Sequence, residues 1–310
     1  MTEGDTGDDR LSKSDRREIA RRKAQALRAE QKKKERRRRF LLQGGIAVGI
    51  IAVIAVVALI ITNTYLKPPT PGPLNMASDG ITIGQGLKAM STGALQPGDV
   101  PVSTASGNPD VIKIRVYLDY QCPLCKRFET ANEKQLTTWL ETGSATLEIH
   151  PLAMFDRNSV GTKYSTRSAN AAACVANYSP NRFFAFNSLL FQNQPPEQSP
   201  GLTDEKIIAL TKKAKVSNSS SISDCITDQS FKTWVNAATA RAVSGPIPGS
   251  KVDKVTDTPT VLVDGVKYPG ELDNANDFAL FVNTAAGNAF TEEATASPTP
   301  VPLPTATPVP

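Results

Sequence analysis

Val111-Ile112-Lys113-Ile114-Arg115-Val116-Tyr117-Leu118-Asp119-Tyr120-Gln121-Cys122-Pro123-Leu124-Cys125 decides the fold of this 310-residue chain. In its first half Ile112, Ile114, Val116 and Leu118 share one face, the period-two signature of a β-strand. Beyond Cys122 the period changes. Cys125, Phe128, Leu136, Trp139 and Leu140 recur at helical spacing toward Glu141, and Gly143 supplies a stop. Two thiols therefore stand where a strand hands over to a helix.

The first turn of a helix carries unpaired backbone N–H groups and the positive end of the macrodipole, both of which favour an anion. Here that anion is the Cys122 thiolate. Pro123 suits the first helical position because its missing N–H has no partner to lose there. Cys122 is expected to be the accessible nucleophile that forms a mixed disulfide, and Cys125, one turn on and shielded, the thiol that resolves it. From spacing alone, half a zinc site or an inert local disulfide remains open.

The compartment bears on that choice. Phe40 to Ile61 is a run of 22 residues without a charge. As a helix it would be about 33 Å long, enough to cross a bilayer. A 39-residue arm precedes it and Thr62 to Lys67 offers no small-residue cleavage site, so a retained signal-anchor is expected rather than a cleaved signal peptide. Met1 to Phe40 carries 15 Lys or Arg against 8 Asp or Glu. Positive residues beside a span stay cytoplasmic. The expected location is the cell membrane, single-pass, with the catalytic domain extracytoplasmic, where disulfides form and persist. Thiol redox chemistry is favoured there over zinc, and no metal site is expected.

Without the arm, 35 − 15 = 20 basic and 30 − 8 = 22 acidic residues remain. A near-neutral outer domain offers no basic patch for nucleic acid, and the charge run of the arm reads as a topology signal with affinity for anionic lipid head groups.

Five segments follow: a basic cytoplasmic arm at 1–39, a transmembrane helix at 40–61, a Pro-rich linker at 62–79, a folded domain at 80–290, and a disordered Pro/Thr-rich tail at 291–310. Within the domain, Ile81 to Ile83 and Ala145 to His150 read as further strands. Ser165 to Ser244 reads as helical, with runs Ser168 to Tyr178, Arg182 to Phe191, Thr203 to Lys215 and Ser223 to Val243. Thr260 to Val263 and Val266 to Tyr268 read as a hairpin turned by Asp264-Gly265, and Asn274 to Ala285 as a closing helix. This order describes one α/β domain with a helical insertion at about 160–245.

Val116 to Phe128, reading VYLDYQCPLCKRF, resembles the active-site segment of DsbA-like thiol-disulfide oxidoreductases on the thioredoxin fold. Asp257-Thr258-Pro259-Thr260 stands where that family places its cis-proline loop, and the insertion matches the family's helical domain. The resemblance, of actinobacterial type, covers about Gly80 to Phe290. It implies a cis Pro259, with Thr258 and Pro259 binding an extended client strand beside Cys122. It further implies exported unfolded or reduced proteins as clients, and a membrane redox partner of the vitamin K epoxide reductase or DsbB type. No cofactor is implied beyond the Cys122–Cys125 disulfide itself. The chain departs from the archetype at Leu124, where a histidine would donate to the sulfur. Leucine cannot, so a less oxidising disulfide is expected.

Four cysteines permit three connectivities, and the CxxC pair leaves Cys174 with Cys225. A structural disulfide between them is expected, with two buried thiols or a relay pair as the alternatives; a bridge over that span would contribute about 4 kcal/mol by chain entropy. Some actinobacterial relatives carry a similar extra bridge. His150, the one histidine, reads as a polar strand-end residue rather than a general base. Trp139, Trp234, Phe183, Phe184, Phe186 and Phe191 read as core rather than as an exposed groove. The function expected is introduction of disulfides into exported proteins. A reductase or isomerase, and a non-enzymatic binding module, are the alternatives.

Overall fold

The computed structural model describes residues 18, 21–25, 27–38, 52–57, 70–103 and 111–295, with side chains as far as residue 287. The chain divides into two compact units, Met1–Pro68 and Pro69–Pro310. In the first, the described residues are helical and exposed. The expected span at 40–61 lies outside the described residues except for 52–57. Among the described residues no helix is long and apolar enough to cross a membrane.

In the second unit, β1 (Ile81–Gly84), β2 (Lys88–Ala89), β3 (Ile112–Leu118), β4 (Ala145–Pro151), β5 (Thr260–Val263) and β6 (Val266–Lys267) form one sheet in the order β2-β1-β4-β3-β5-β6. Strands β3 and β4 are parallel, with Ile114 opposite Leu147 and Val116 opposite Ile149, and β5 joins β3 antiparallel. A parallel pair needs a crossover, and α1 (Pro123–Thr142) supplies it. Gly143, at φ 78°, ends that helix in the left-handed conformation a side chain would strain.

Alternation along β3 divides the core. Ile114, Val116 and Leu118 join Phe128, Leu136, Leu147 and Phe278 in the larger cluster, where Phe128 meets Phe278 edge-on at 5.2 Å. Phe278 belongs to the closing helix α7 (Ala275–Thr295). Each such side chain gains about 1.5–3 kcal/mol on full burial, so the phase of β3 is strongly determined. Tyr117 and Leu262 point the other way, into a second cluster with Leu152, Ala242, Ile247 and Val255.

The insertion consists of α2 (Tyr164–Tyr178), α3 (Phe183–Gln192), α4 (Asp204–Lys213), α5 (Ser219–Thr227) and α6 (Lys232–Ser244). The run expected from Ser223 to Val243 is thus two helices. Gln229 takes φ 49°, and the freed Phe231 N–H donates to Asn170 Oδ1 at 2.8 Å, a tertiary bond with no local sequence signal. Phe183, Phe184, Phe186, Phe191 and Trp234 are buried, so these aromatics are core; Trp139 is half-buried. Cys174 of α2 and Cys225 of α5 are disulfide-bonded.

Two boundaries differ from the sequence reading. Gly72, Pro73, Asn75, Met76, Ser78 and Asp79, assigned to the linker, are buried. Asn75 Nδ2 donates to Ala176 O at 2.8 Å, Asp79 pairs with Arg241 at 2.6 Å, and a Cβ on Gly72 would lie 2.8 Å from the Trp234 ring. Proline content suggested a spacer, yet these residues are packed against the insertion. At the other end α7 runs on to Thr295, so the first residues assigned to the tail are helical. Residues 62–69 and 296–310 lie outside the described residues.

Candidate active site

The loop Asp119-Tyr120-Gln121 carries the chain from β3 into α1, and Cys122 is the N-cap of that helix. A cap must accept from the first-turn N–H groups, and Cys122 Sγ accepts from Cys125 N at 3.4 Å, with Pro123 in the first turn. Cys122 N donates to Asp119 O at 3.0 Å, which closes the turn before the helix.

Asp119 anchors this loop. Its Oδ1 accepts from Gln121 N at 2.8 Å and Ser165 Oγ at 2.7 Å, and its Oδ2 from Met154 N at 2.7 Å and Phe155 N at 3.0 Å. One carboxylate thus ties the motif loop to the segment after β4 and to α2. Burial pushes its pKa up to about 6, against the pull of these donors. Gln194, just beyond α3, adds a second tie: its Nε2 donates to Tyr120 O at 3.0 Å and to Cys122 O at 2.9 Å. Nothing in the local sequence marks Gln194, which lies 72 positions from Cys122.

The two sulfurs have different surroundings. Both are unpaired thiols and both are buried, Cys122 at 1% exposure and Cys125 at 2%. The open sulfur expected at Cys122 is therefore covered. Part of the cover is the Thr258 carbonyl, which accepts from Cys122 Sγ at 3.1 Å. Leu124, by contrast, is 43% exposed, and Pro123 is exposed beside it. The Cys122 thiol is lowered to about 7, chiefly by the Cys125 side chain and against burial. Smaller help comes from the Thr258 side chain and the N–H groups of Cys125 and Leu124. Burial first, then the hydrogen bond that Cys125 donates to the Cys122 sulfur, pushes Cys125 well above an ordinary thiol.

Residues far apart in sequence meet here. The Thr258–Pro259 peptide is cis, and Thr258 and Pro259 lead into β5. One turn beyond Cys125, Glu129 is buried; its Oε1 accepts from Asn187 Nδ2 at 2.9 Å and Ser188 Oγ at 3.2 Å, while Tyr120 OH donates to Asn187 Oδ1 at 3.0 Å. Burial, then the neighbouring Glu133, raises Glu129 to about 7. An open groove of about 440 Å³ runs beside Pro123, with Lys126, Arg127, Gln194 and Asp273 in its walls. His150 stays apart from the sulfurs: it stacks on Tyr117 with centroids 4.3 Å apart on the back of the sheet. Among the described residues no cluster of histidine, cysteine and carboxylate side chains is suited to a metal ion.

Chemically, the arrangement separates one thiol near neutrality from one held protonated. That asymmetry is what thiol–disulfide exchange through Cys122 needs, since the thiolate is both the nucleophile and the better leaving group.

Comparison with known proteins agrees. A family model described as thioredoxin matches residues 100–282. The oxidised DsbA of Mycobacterium tuberculosis is 25% identical with a TM-score of 0.52, over 70% of this chain and 100% of that one. The reduced disulfide bond oxidoreductase DsbG of the same organism is 24% identical with a TM-score of 0.52, over 72% of this chain and 96% of that one. BdbD of Bacillus subtilis shares the fold at 15% identity and a TM-score of 0.50, over 71% and 100%. No curated protein sequence matches the chain.

Proposed function

This chain belongs to the thioredoxin family, and on that premise we propose that it is a membrane-anchored, extracytoplasmic enzyme that passes the Cys122–Cys125 disulfide to exported proteins. By structure it is a thiol–disulfide oxidoreductase of the DsbA type. The observation that carries the reading is the placement of Cys122. It caps α1, is lowered to about 7, and lies 3.1 Å from the Thr258 carbonyl beside a protonated partner thiol.

In the proposed cycle a client thiolate attacks Cys122 of the disulfide, the S–S bond breaks, and Cys125 leaves and takes up a proton. A second client thiolate then attacks the client sulfur of the mixed disulfide and expels Cys122. Two electrons pass from client to enzyme, and a membrane partner of the vitamin K epoxide reductase or DsbB type removes them. The Thr258 carbonyl accepts from the Cys122 S–H in the dithiol. Once Cys122 is oxidised it has no proton to give, so that carbonyl is free for a backbone N–H of an extended client. Exposed Pro123 and Leu124 offer an apolar contact beside the sulfur for clients of varied sequence.

The anchor rests on the uncharged run at 40–61 and the basic arm before it; Val53, Ile54, Val56 and Val57 within it are exposed. Cysteine-accessibility labelling in intact cells, with Cys122 silent to a membrane-impermeant thiol reagent until the membrane is opened, would refute the topology. A second reading, reductase or isomerase, is favoured by one observation: Leu124 between the cysteines has no group to donate to the Cys122 sulfur, which makes for a less oxidising disulfide. Equilibrating the full chain with glutathione buffers decides between them. A potential below about −300 mV would sink the donor reading, because such a bond resists exchange.

A further inference from the structure

A cavity of about 530 Å³ lies where three stretches distant in the chain meet. Leu87 and Lys88 stand at the start of β2, Pro180 and Arg182 in the turn between α2 and α3, Phe184 in the first turn of α3, and Lys215 in the link between α4 and α5. These walls are tied to one another. Ala89 N donates to Asn181 Oδ1 at 3.1 Å, Ser217 N donates to Ser179 Oγ at 3.0 Å, and Asn218 Nδ2 donates to Tyr178 O at 3.0 Å. The cavity shares no residue with the groove beside Pro123.

Charge indicates what it would take. Lys88, Arg182 and Lys215 line the cavity, and among the described residues no carboxylate does. None of the three has a side-chain hydrogen bond or an ion pair among the described residues. Cations gathered in a concave surface without a counter-ion repel one another and focus a positive potential onto it. The chain beyond the basic arm is near neutral, so this imbalance is local. Lys215 takes φ 58°, the left-handed conformation that closes α4, so a cation stands where glycine is the unstrained choice.

Hydrogen-bonding capacity points the same way. Asn181 Oδ1 is taken by Ala89 N, which leaves Nδ2 to donate, and the Ser179 and Ser217 hydroxyls bond each other at 3.0 Å. The side-chain groups left over are donors, and donors select a group that only accepts. A carboxylate offers two oxygens and one charge, whereas a phosphate monoester offers three oxygens and close to two charges, and can engage an arginine fork through two of the oxygens. Three cations and an amide suit the phosphate. Leu87, Pro180 and Phe184 add an apolar wall for the group it carries.

We propose that this cavity binds a phosphate monoester with an apolar alcohol part, the oxyanion among Lys88, Arg182, Lys215 and Asn181 and the apolar part against Leu87 and Phe184. A free ester and a lipid head group present the same phosphate. The site is independent of the thiol chemistry and does not rest on the proposed function.

The test uses the full chain in non-ionic detergent with 2-naphthyl phosphate as probe, by titration calorimetry. As controls, 2-naphthol lacks the charge, 2-naphthoate carries a carboxylate instead, and inorganic phosphate lacks the apolar part. Arg182→Gln and Lys215→Gln each remove a cation from the cavity, and Lys134→Gln removes an exposed one of α1 outside it. The basic arm is common to all four chains, so its own affinity for anions cancels. Saturable binding is expected in the unaltered chain, at least tenfold tighter than any control. It should weaken at least tenfold in Arg182→Gln and in Lys215→Gln and stay unchanged in Lys134→Gln, since one charge-assisted contact is worth about tenfold or more in affinity. An unchanged alkylation rate of Cys122 shows the fold intact. Competition then names the source. Displacement by phosphatidate added to the micelles, with phosphatidylcholine inert, assigns a lipid head group, and displacement by hexyl phosphate alone assigns a free ester. Absence of saturable binding, 2-naphthoate bound as tightly as the phosphate, unchanged affinity in the two cavity variants, or an equal loss in Lys134→Gln would each overturn the site.

Discussion

Cys125→Ala should move the titration of Cys122, because the Cys125 side chain is the largest influence holding that thiol at about 7 against an ordinary 9.0. If the whole shift were lost, the thiolate fraction at pH 7 would fall from about one half to about one hundredth. The fall in rate is smaller than fifty-fold, because a more basic thiolate is also a better nucleophile. With a Brønsted slope of about 0.45, two pKa units restore roughly eightfold, leaving a net loss of about sixfold at pH 7. Above about pH 8 the order reverses, and the variant should react faster. The assay is the pH dependence of iodoacetamide alkylation on the full chain. Cys174 and Cys225 are joined to each other, so Cys122 is the reactive thiol left in the variant. A midpoint that stays near 7 in Cys125→Ala would refute the reasoning, and would assign the lowered pKa to the helix N–H groups and Thr258.

Three further outcomes are expected. Glu129 has a folded pKa raised from 4.5 to about 7. Its neutral form is therefore the stabilising one: the contribution is intact below about pH 4.5 and is lost as pH rises to 7, a cost of up to about 3 kcal/mol. Glu129→Gln should stabilise the chain in urea titrations at pH 8 and change little at pH 4, and equal effects at both would contradict the burial argument. Gln194→Ala strips a donor from the carbonyls of Tyr120 and Cys122. A loss of about 1–2 kcal/mol in denaturant and slower exchange through Cys122 are expected, and unchanged exchange kinetics would count against Gln194 as a positioning residue. Replacing Cys174 and Cys225 together by alanine should cost about 4 kcal/mol through the unfolded chain, seen as a lowered melting temperature, while Cys122 alkylation stays as it was.

Much of the site was legible because it is local. The alternation of Ile112 to Leu118, the change of period after Cys122 and the stop at Gly143 all depend on neighbours within a few residues. The observed β3 and α1 follow them closely. The Asp264-Gly265 turn was legible for the same reason: both residues take positive φ, 46° and 80°, which their types tolerate. The break at Gln229 and the packing of Gly72 to Asp79 were not, since each is settled by a partner distant in the chain, Asn170 in one case and Ala176 and Arg241 in the other.

By itself, then, the sequence determined that a strand delivers two thiols to the start of a helix, which of the two caps it, and that Leu124 withholds a donor. Backbone period and capping chemistry act over one or two turns. The tertiary structure alone decided that Cys122 is covered rather than open. It also aimed the Thr258 carbonyl at the sulfur, and bound the motif loop to the insertion through Asp119 and Gln194. Cover and hydrogen-bond geometry arise where segments far apart in the chain come within about 3 Å, and no local pattern encodes that meeting.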